Sequence, residues 1–327
     1  MRAVVCKALG DPSALAVEDV APPPMAELGV RIRVRAAALN FADLLMIKGT
    51  YQVKLTPPFV PGIEAAGEVI ETAPGVTRVR AGERVMALVA AGAFAEEAVA
   101  DENRVYRIPA GMDFVTAAGF PVVYGTSYFA LADRARLAPG EVLVVHGAAG
   151  GVGLAAVEIG KRLGATVIAV AGGADKLALA RGRGADHLID HRSEDLRERI
   201  KALTGGRGAD VVFDPVGGSA FEASLRATAP DGRIVVVGFA SGQVPQIPAN
   251  ILLVKNLSVI GLYWGAYRDI RPEAFARQFD VLLRWWEEGA LKPHTSHTFP
   301  LGEAEAAFAT LLSRRSTGKV ALIMGEP

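Results

Sequence analysis

Two hydrophobic rhythms divide this chain. Early on, Val30, Ile32 and Val34 alternate with Arg31, Arg33 and Arg35, which predicts a half-buried strand over 30–36. Further short strands are expected at 3–7, 65–72, 84–88 and 94–99, punctuated by Gly62, Gly67, Gly75 and Gly82. The Pro22-Pro23-Pro24 run reads as a loop, because proline supplies no ladder donor. From residue 142 the rhythm changes to short, continuous apolar runs at 142–146, 166–170, 187–190, 210–214, 233–239 and 257–262. Helical patterns separate them at 153–163, 176–183, 194–203 and 220–228. Strands apolar on both faces suit a parallel sheet covered on both sides, and the alternation predicts an α/β, doubly wound (Rossmann) sheet. A mostly apolar stretch at 116–132 reads as helix interrupted by Pro121. The tail carries a helix at 272–288, with Phe275, Phe279, Leu282, Leu283 and Trp286 near helical spacing, then a helix at 301–312 and a strand at 319–324. We assign the tail to the first, β-rich part: domain one 1–121, the Rossmann domain 122–264, and a return to domain one over 265–327.

The length of 327 residues fits about two cores rather than one. Lys+Arg and Asp+Glu both total 35, so no bulk field favours nucleic acid or an anionic membrane. The longest apolar stretch, 142–157, is broken by His146 and four glycines and reads as strand, turn and helix start rather than a membrane span. The N-terminal residues run straight into a strand pattern without a signal-peptide core. The single cysteine, Cys6, cannot form an intramolecular disulfide or a multi-cysteine metal site and reads as a buried strand residue. The expected location is cytoplasmic.

The strongest local signal is Gly147-Ala148-Ala149-Gly150-Gly151-Val152-Gly153, which follows a buried strand and opens a helix. Ala148, Gly150 and Gly153 stand at G-x-G-x-x-G spacing with alanine in the first place. Small residues there, including Gly151 and Val152 at the helix start, let backbone amides approach a pyrophosphate, and the helix N-terminus adds partial positive charge. A NAD site places an acid at the end of the second strand, to bind the ribose hydroxyls. Here that strand ends Val170-Ala171-Gly172-Gly173, with Ala171 in the acid's place and two glycines leaving room for a 2′-phosphate. Lys176, His191 and Arg192 can supply contacts to such a phosphate; alternatively Lys176 lies on a solvated helix face and Arg192 is a surface charge. Asp175 lies past the strand end and is expected to cap the helix. The missing acid favours NADPH.

Several motifs stand in order: Asn40-Phe41-Ala42-Asp43, Pro61-Gly62-Ile63-Glu64-Ala65-Ala66-Gly67, Gly125-Thr126, the glycine loop, and Thr317-Gly318-Lys319-Val320. Together they resemble the medium-chain dehydrogenase/reductase superfamily, and within it the zinc-independent quinone oxidoreductase branch, over essentially the whole chain. The resemblance implies a GroES-like substrate domain beside the Rossmann domain. The superfamily's alcohol dehydrogenases hold catalytic zinc with Cys, His and a second Cys. This chain has Asn40 and Ile63 at the first two places and no cysteine near Val122. The five histidines (His146, His187, His191, His294, His297) form no substitute set, so no metal is expected.

The resemblance implies that Asn40, Asp43 and Tyr51 line the substrate cleft. Asn40 would donate to a carbonyl, or hold a loop through backbone bonds. Tyr51 would stack or donate its proton, or cover a loop. Asp43 would act at the cleft or be structural, and Glu64 reads as a structural carboxylate. Leu45 replaces a tyrosine found in some members, making the pocket more apolar. Thr126 would face the nicotinamide amide. Phe239 and Ser241, after the fifth strand, would contact the ribose–nicotinamide half. Leu262, Tyr263 and Trp264 would wall the cofactor or pack between domains. Lys319 would reach the cofactor phosphates or lie at the surface. The 257–262 edge strand invites a homodimer. The implied activity is hydride delivery from NADPH to a quinone. An enoyl-thioester or enone reductase of the acrylyl-CoA type, with Lys48, Lys54 and Arg268 as CoA-phosphate contacts, is the nearest alternative. A non-catalytic NADPH-binding structural or regulatory protein is the other.

Overall fold

A computed structural model describes residues 1–325 of the chain. The first part carries strands β1 (Arg2–Cys6), β2 (Leu15–Asp19), β3 (Gly29–Ala38), β4 (Glu64–Thr72), β5 (Arg84–Leu88), β6 (Glu97–Asp101) and β7 (Val105–Arg107). The middle carries β8 (Val142–His146), β9 (Thr166–Ala171), β10 (His187–Asp190), β11 (Ala209–Asp214), β12 (Thr228–Val236) and β13 (Ser258–Gly261). The end carries β14 (Thr295–Pro300) and β15 (Lys319–Ile323).

The chain divides into two compact units, Met1–Val122 with the segment from Pro293 on, and Val123–Lys292. The chain thus returns to the first unit at Pro293, not at 265. The reason is local packing: helix Pro272–Glu287 turns Phe275 and Phe279 onto Trp264, with ring centroids 4.7 and 6.4 Å away, and so stays with the middle unit.

The first unit is built on a seven-stranded sheet of order β14-β15-β3-β4-β5-β7, with β6 also paired to β3. The alternation in β3 is obeyed: Val30, Ile32 and Val34 are buried. Arg31 and Arg35 reach across to Glu71, Glu97 and Glu68 on the polar face. Cys6 is a buried free thiol, as its apolar run implied. The strand expected at 94–99 begins three residues later, at Glu97. Gly92 turns the chain with φ 103°, and Phe94 is fully buried with its amide donating to Pro61 O, so the start of that window is an anchored loop.

The second unit is a parallel six-stranded sheet of order β10-β9-β8-β11-β12-β13. The order runs outward from β8 in both directions, so the chain switches sides between β8 and β11. Ligands in such sheets bind beyond the strand C-termini at that switch. The expected helix over 116–132 is three pieces: Phe114–Ala118, Pro121–Tyr128 and a π turn, Phe129–Arg134. Pro121 begins the second piece rather than kinking a single one, in keeping with proline's fixed φ at a helix start. No helix among the described residues is long and apolar enough to cross a membrane.

Candidate functional site

In the second unit the glycine loop leaves β8 at His146 and enters helix Gly151–Arg162. Ala148 is buried and its amide donates to Val170 O at 3.0 Å, tying the loop to β9. A Cβ on Gly153 would lie 2.1 Å from Gly147 O, so the helix start and the loop backbone touch where only glycine fits. Ser127 Oγ donates to Val152 O at 2.8 Å and fixes the first turn from behind. The opening helical amides have no intrahelical partner, and with the helix dipole they form a binding place for an anion. This is the cradle a dinucleotide pyrophosphate needs.

The second-strand end is equally specific. A Cβ on Gly172 would meet Arg192 Nε at 2.6 Å and His191 Nε2 at 3.0 Å. The two cationic or polar side chains therefore lie directly over the Gly172–Gly173 turn, and glycine makes room for them. Gly173 itself takes φ 94°, open to glycine without strain. Arg192 has no carboxylate in ion-pair range among the described residues. Asp190, which the sequence reading passed over, holds this arrangement: its carboxylate accepts from Gly173 N (3.1 Å) and Arg192 N (3.0 Å). The Arg192 amide bond is the main reason its carboxyl sits below the usual range. The nearby acid is thus turned onto backbone. Asp175 does not cap the following helix. Gly173 is the cap residue, and Asp175 sits inside the first turn, where its charge complements the dipole.

His146 lies fully buried under the loop. Its Nε2 meets Ser224 Oγ at 2.7 Å, and that hydroxyl donates onward to Ala220 O, so the ring carries its proton on Nε2. Burial holds the imidazole below its usual pKa, against the opposing pull of Asp214.

The loops after β11 and β12 are laced together at the same sheet edge. The Ala240 and Ser241 amides donate to Pro215 O and Val216 O, and Phe239 is left partly exposed. Ser241 Oγ caps its own turn by accepting from Gln243 N. Leu262 is buried, with its amide on Val236 O, and Tyr263 is 38% exposed. Trp264 is buried within its own unit, donates Nε1 to Gln278 Oε1 at 3.2 Å, and stacks with Phe275. Gly125 permits this, since a Cβ there would lie 2.3 Å from the indole. Thr126 is buried on helix Pro121–Tyr128, and its hydroxyl makes no hydrogen bond among the described residues.

In the first unit a different centre forms. Sheet pairing sets Ala38 beside Ala321 and Ala37 beside Ala65, which gathers the end of β3 and the starts of β4 and β15. Asn40, Glu64 and Lys319 meet there. Lys319 is buried, and its ammonium donates to Leu39 O (2.7 Å), Asn40 Oδ1 (2.7 Å) and Glu64 Oε1 (2.8 Å). Lys319 is therefore not a surface charge, and all three of its protons are committed to this cluster rather than to a phosphate. Glu64 Oε1 also accepts from Asn40 Nδ2 at 2.8 Å, and Oε2 accepts from Val122 N at 2.9 Å. An acceptor-only carboxylate and a donor-only ammonium fix the orientation of the Asn40 amide. With its second proton toward Ala38 O at 3.4 Å, the amide faces inward and has no donor left for a substrate carbonyl. Its short bonds go to the side chains of Glu64 and Lys319 rather than to the backbone of a loop.

Asp43 stands three residues into helix Phe41–Ile47, and its Oδ2 accepts from Asn40 N at 2.7 Å, half of a capping box. It is fully buried and its Oδ1 makes no hydrogen bond. Burial pushes its carboxyl up to about 7, with Asn40 N–H and Lys319 opposing. Tyr51 is half-buried just past this helix, its amide donating to Leu45 O. Lys48 pairs with Asp11, Lys54 donates to Gly49 O, and Arg268 donates to Gly265 O, so each proposed CoA contact is engaged locally. Among the described residues no three His, Cys, Asp or Glu side chains are grouped to hold a metal ion.

Comparison with known proteins agrees with both units. Residues 27–110 match the family described as alcohol dehydrogenase GroES-like domain, and residues 151–279 match zinc-binding dehydrogenase. Quinone oxidoreductase-like protein 2 of Bos taurus is 42% identical over 98% of this chain and 92% of its own length. The quinone oxidoreductase of Pseudomonas aeruginosa is 36% identical over 97% of each chain. Among solved structures, Escherichia coli quinone oxidoreductase complexed with NADPH superposes with a TM-score of 0.93 at 31% identity, covering 99% of this chain and 100% of that one. The chain belongs to the medium-chain dehydrogenase/reductase superfamily of oxidoreductases, in its quinone oxidoreductase branch.

Proposed function

We propose that this chain transfers hydride from NADPH to a quinone or a similarly electron-poor acceptor, without a metal. One observation carries the cofactor choice: Arg192 and His191 overlie the glycine pair that follows Ala171, the place where a NAD site would hold an acid, and the Asp190 carboxylate accepts from backbone amides there. NADPH, when bound, supplies the hydride. The protein's own residues bind and orient. The amides of Gly151, Val152 and Gly153 hold the pyrophosphate, beside Gly150, whose own amide donates to Gly147 O, and Arg192 with Lys176 and His191 holds the 2′-phosphate. Thr126 offers its uncommitted hydroxyl to the carboxamide. Phe239, Ser241, Leu262 and Tyr263 border the ribose and nicotinamide. On the acceptor side Tyr51 is the ring partner, and Asn40 is a positioning residue held by Glu64 and Lys319. A quinone needs no strong general acid, because its reduced oxygen is a stabilised phenolate.

We also propose a cytoplasmic homodimer, joined through the free side of β13. That strand ends the six-stranded sheet, and Leu253 and Val254 on the preceding helix are 78% and 80% exposed. Light scattering after gel filtration tests the dimer: a monomeric mass at micromolar concentration contradicts it. The activity test is NADPH consumption with 1,4-benzoquinone and with crotonyl-CoA in parallel. Turnover of the quinone is expected. Turnover of the thioester alone moves the chain to the enoyl reductases, a reading that local engagement of Lys48, Lys54 and Arg268 disfavours.

A further inference from the structure

We propose a second anion site in the dinucleotide unit, at the sheet edge opposite the glycine loop, shaped for a phosphate-bearing small molecule. Helix Pro121–Tyr128 runs into the π turn Phe129–Arg134, and two residues later Arg136 takes a left-handed conformation with φ 49°. Both features are uncommon, and both concentrate where a structure serves a ligand rather than its own packing. Together they bring Arg134 and Arg136 to a depression of about 810 Å³ that Arg233 and Arg271 also line.

Only two carboxylates share this depression with the four arginines, and both are taken. Glu141 receives a bidentate pair from Arg233, at 2.8 and 2.6 Å, and Asp133 pairs with Arg271. Arg134 and Arg136 have no carboxylate in ion-pair range among the described residues, which leaves an excess of two positive charges. Arg134 Nε is buried without a hydrogen bond, and the guanidinium carbon stands 5.9 Å from the centre of the Tyr267 ring. A buried donor with no acceptor is destabilising until one arrives. Guanidinium forks match phosphate oxygens, and an excess of two charges suits a phosphate group carrying nearly two negative charges at neutral pH.

The place is separate from the cofactor cradle. Glu141 precedes β8 and Arg233 pairs with Ser258 at the start of β13, whereas the glycine loop follows the end of β8. The length of a five-residue strand, about 15 Å, lies between them. One ligand phosphate cannot occupy both.

The test is calorimetric titration of inorganic pyrophosphate into the protein saturated with NADPH, so that the glycine loop is filled. Binding at one site per chain is expected. Affinity should fall at least tenfold in R134Q/R136N, with asparagine chosen because it tolerates the left-handed backbone. R136N alone, at an exposed and unpaired side chain, should weaken binding with unchanged unfolding midpoint and unchanged NADPH turnover. Absence of binding to the NADPH-saturated protein, or equal binding by the wild type and both variants, overturns the proposal.

Discussion

The two polar centres of this molecule are made of different material. Around the glycine loop the binding surface is backbone, and side chains matter chiefly by being absent, as at Gly153 and Gly172. Around Asn40 the centre is built on side chains, a buried ammonium and carboxylate from β15 and β4 closing on one amide. The first kind of site fails when an atom is added. The second fails when a charge is left unbalanced. That difference ranks the following expectations.

The largest effect belongs to the side-chain centre. Lys319→Met leaves Glu64 buried and uncompensated, and should destabilise the protein by about 3–5 kcal/mol. Urea unfolding measures it, and adding Glu64→Gln to the same chain should recover part of the loss. If the single and double variants are equally unstable, the cluster is not coupled through charge. Next is the backbone centre. Gly153→Ala forces the loop and helix apart, and should weaken NADPH binding by about tenfold or more, roughly 1.4 kcal/mol, in a fluorescence titration. Unchanged binding would mean the cradle is not the cofactor site.

A third expectation is a pH slope. Asp43 is raised to about 7 in the folded state from an ordinary 3.8, so between those values the folded chain holds a proton that the unfolded chain has released. Its contribution therefore makes stability fall as pH rises through this window and level off above it. His146 acts with the opposite sign: its folded pKa is depressed below 6.5, so its contribution is lost as pH falls below that value. Asp43→Asn should remove the first slope and leave the second, read as the melting midpoint from pH 5 to pH 8. An unaltered profile would show that Asp43 does not titrate there.

What was legible in the sequence follows the same division. The glycine loop and the Ala171-Gly172-Gly173 turn are contiguous, and their chemistry depends on local spacing, so strand, turn and helix could be read directly. The parallel strands announced themselves by continuous apolar runs. Lys319 could not be placed, because its partners lie 255 and 279 residues away and meet it only through the register of β3 with β4 and β15. The tail helix at Pro272–Glu287 has an apolar stripe that suits either unit. Only its stacking on Trp264, made possible by Gly125, decides the matter. Asp190 was passed over for a related reason: at a strand end it resembles any solvated acid until its bonds to Gly173 and Arg192 are seen.

The central claim is that the Gly172–Arg192 corner selects NADPH for delivery of hydride to a quinone. The direct measurement is kcat/KM for NADPH and for NADH with 1,4-benzoquinone, in the wild type and in Arg192→Ala. The account predicts a preference for NADPH in the wild type, and a loss of about 10- to 100-fold for NADPH alone in the variant, the worth of a charge-assisted phosphate contact. Equal use of the two cofactors by the wild type, or an equal loss for both in the variant, would contradict it.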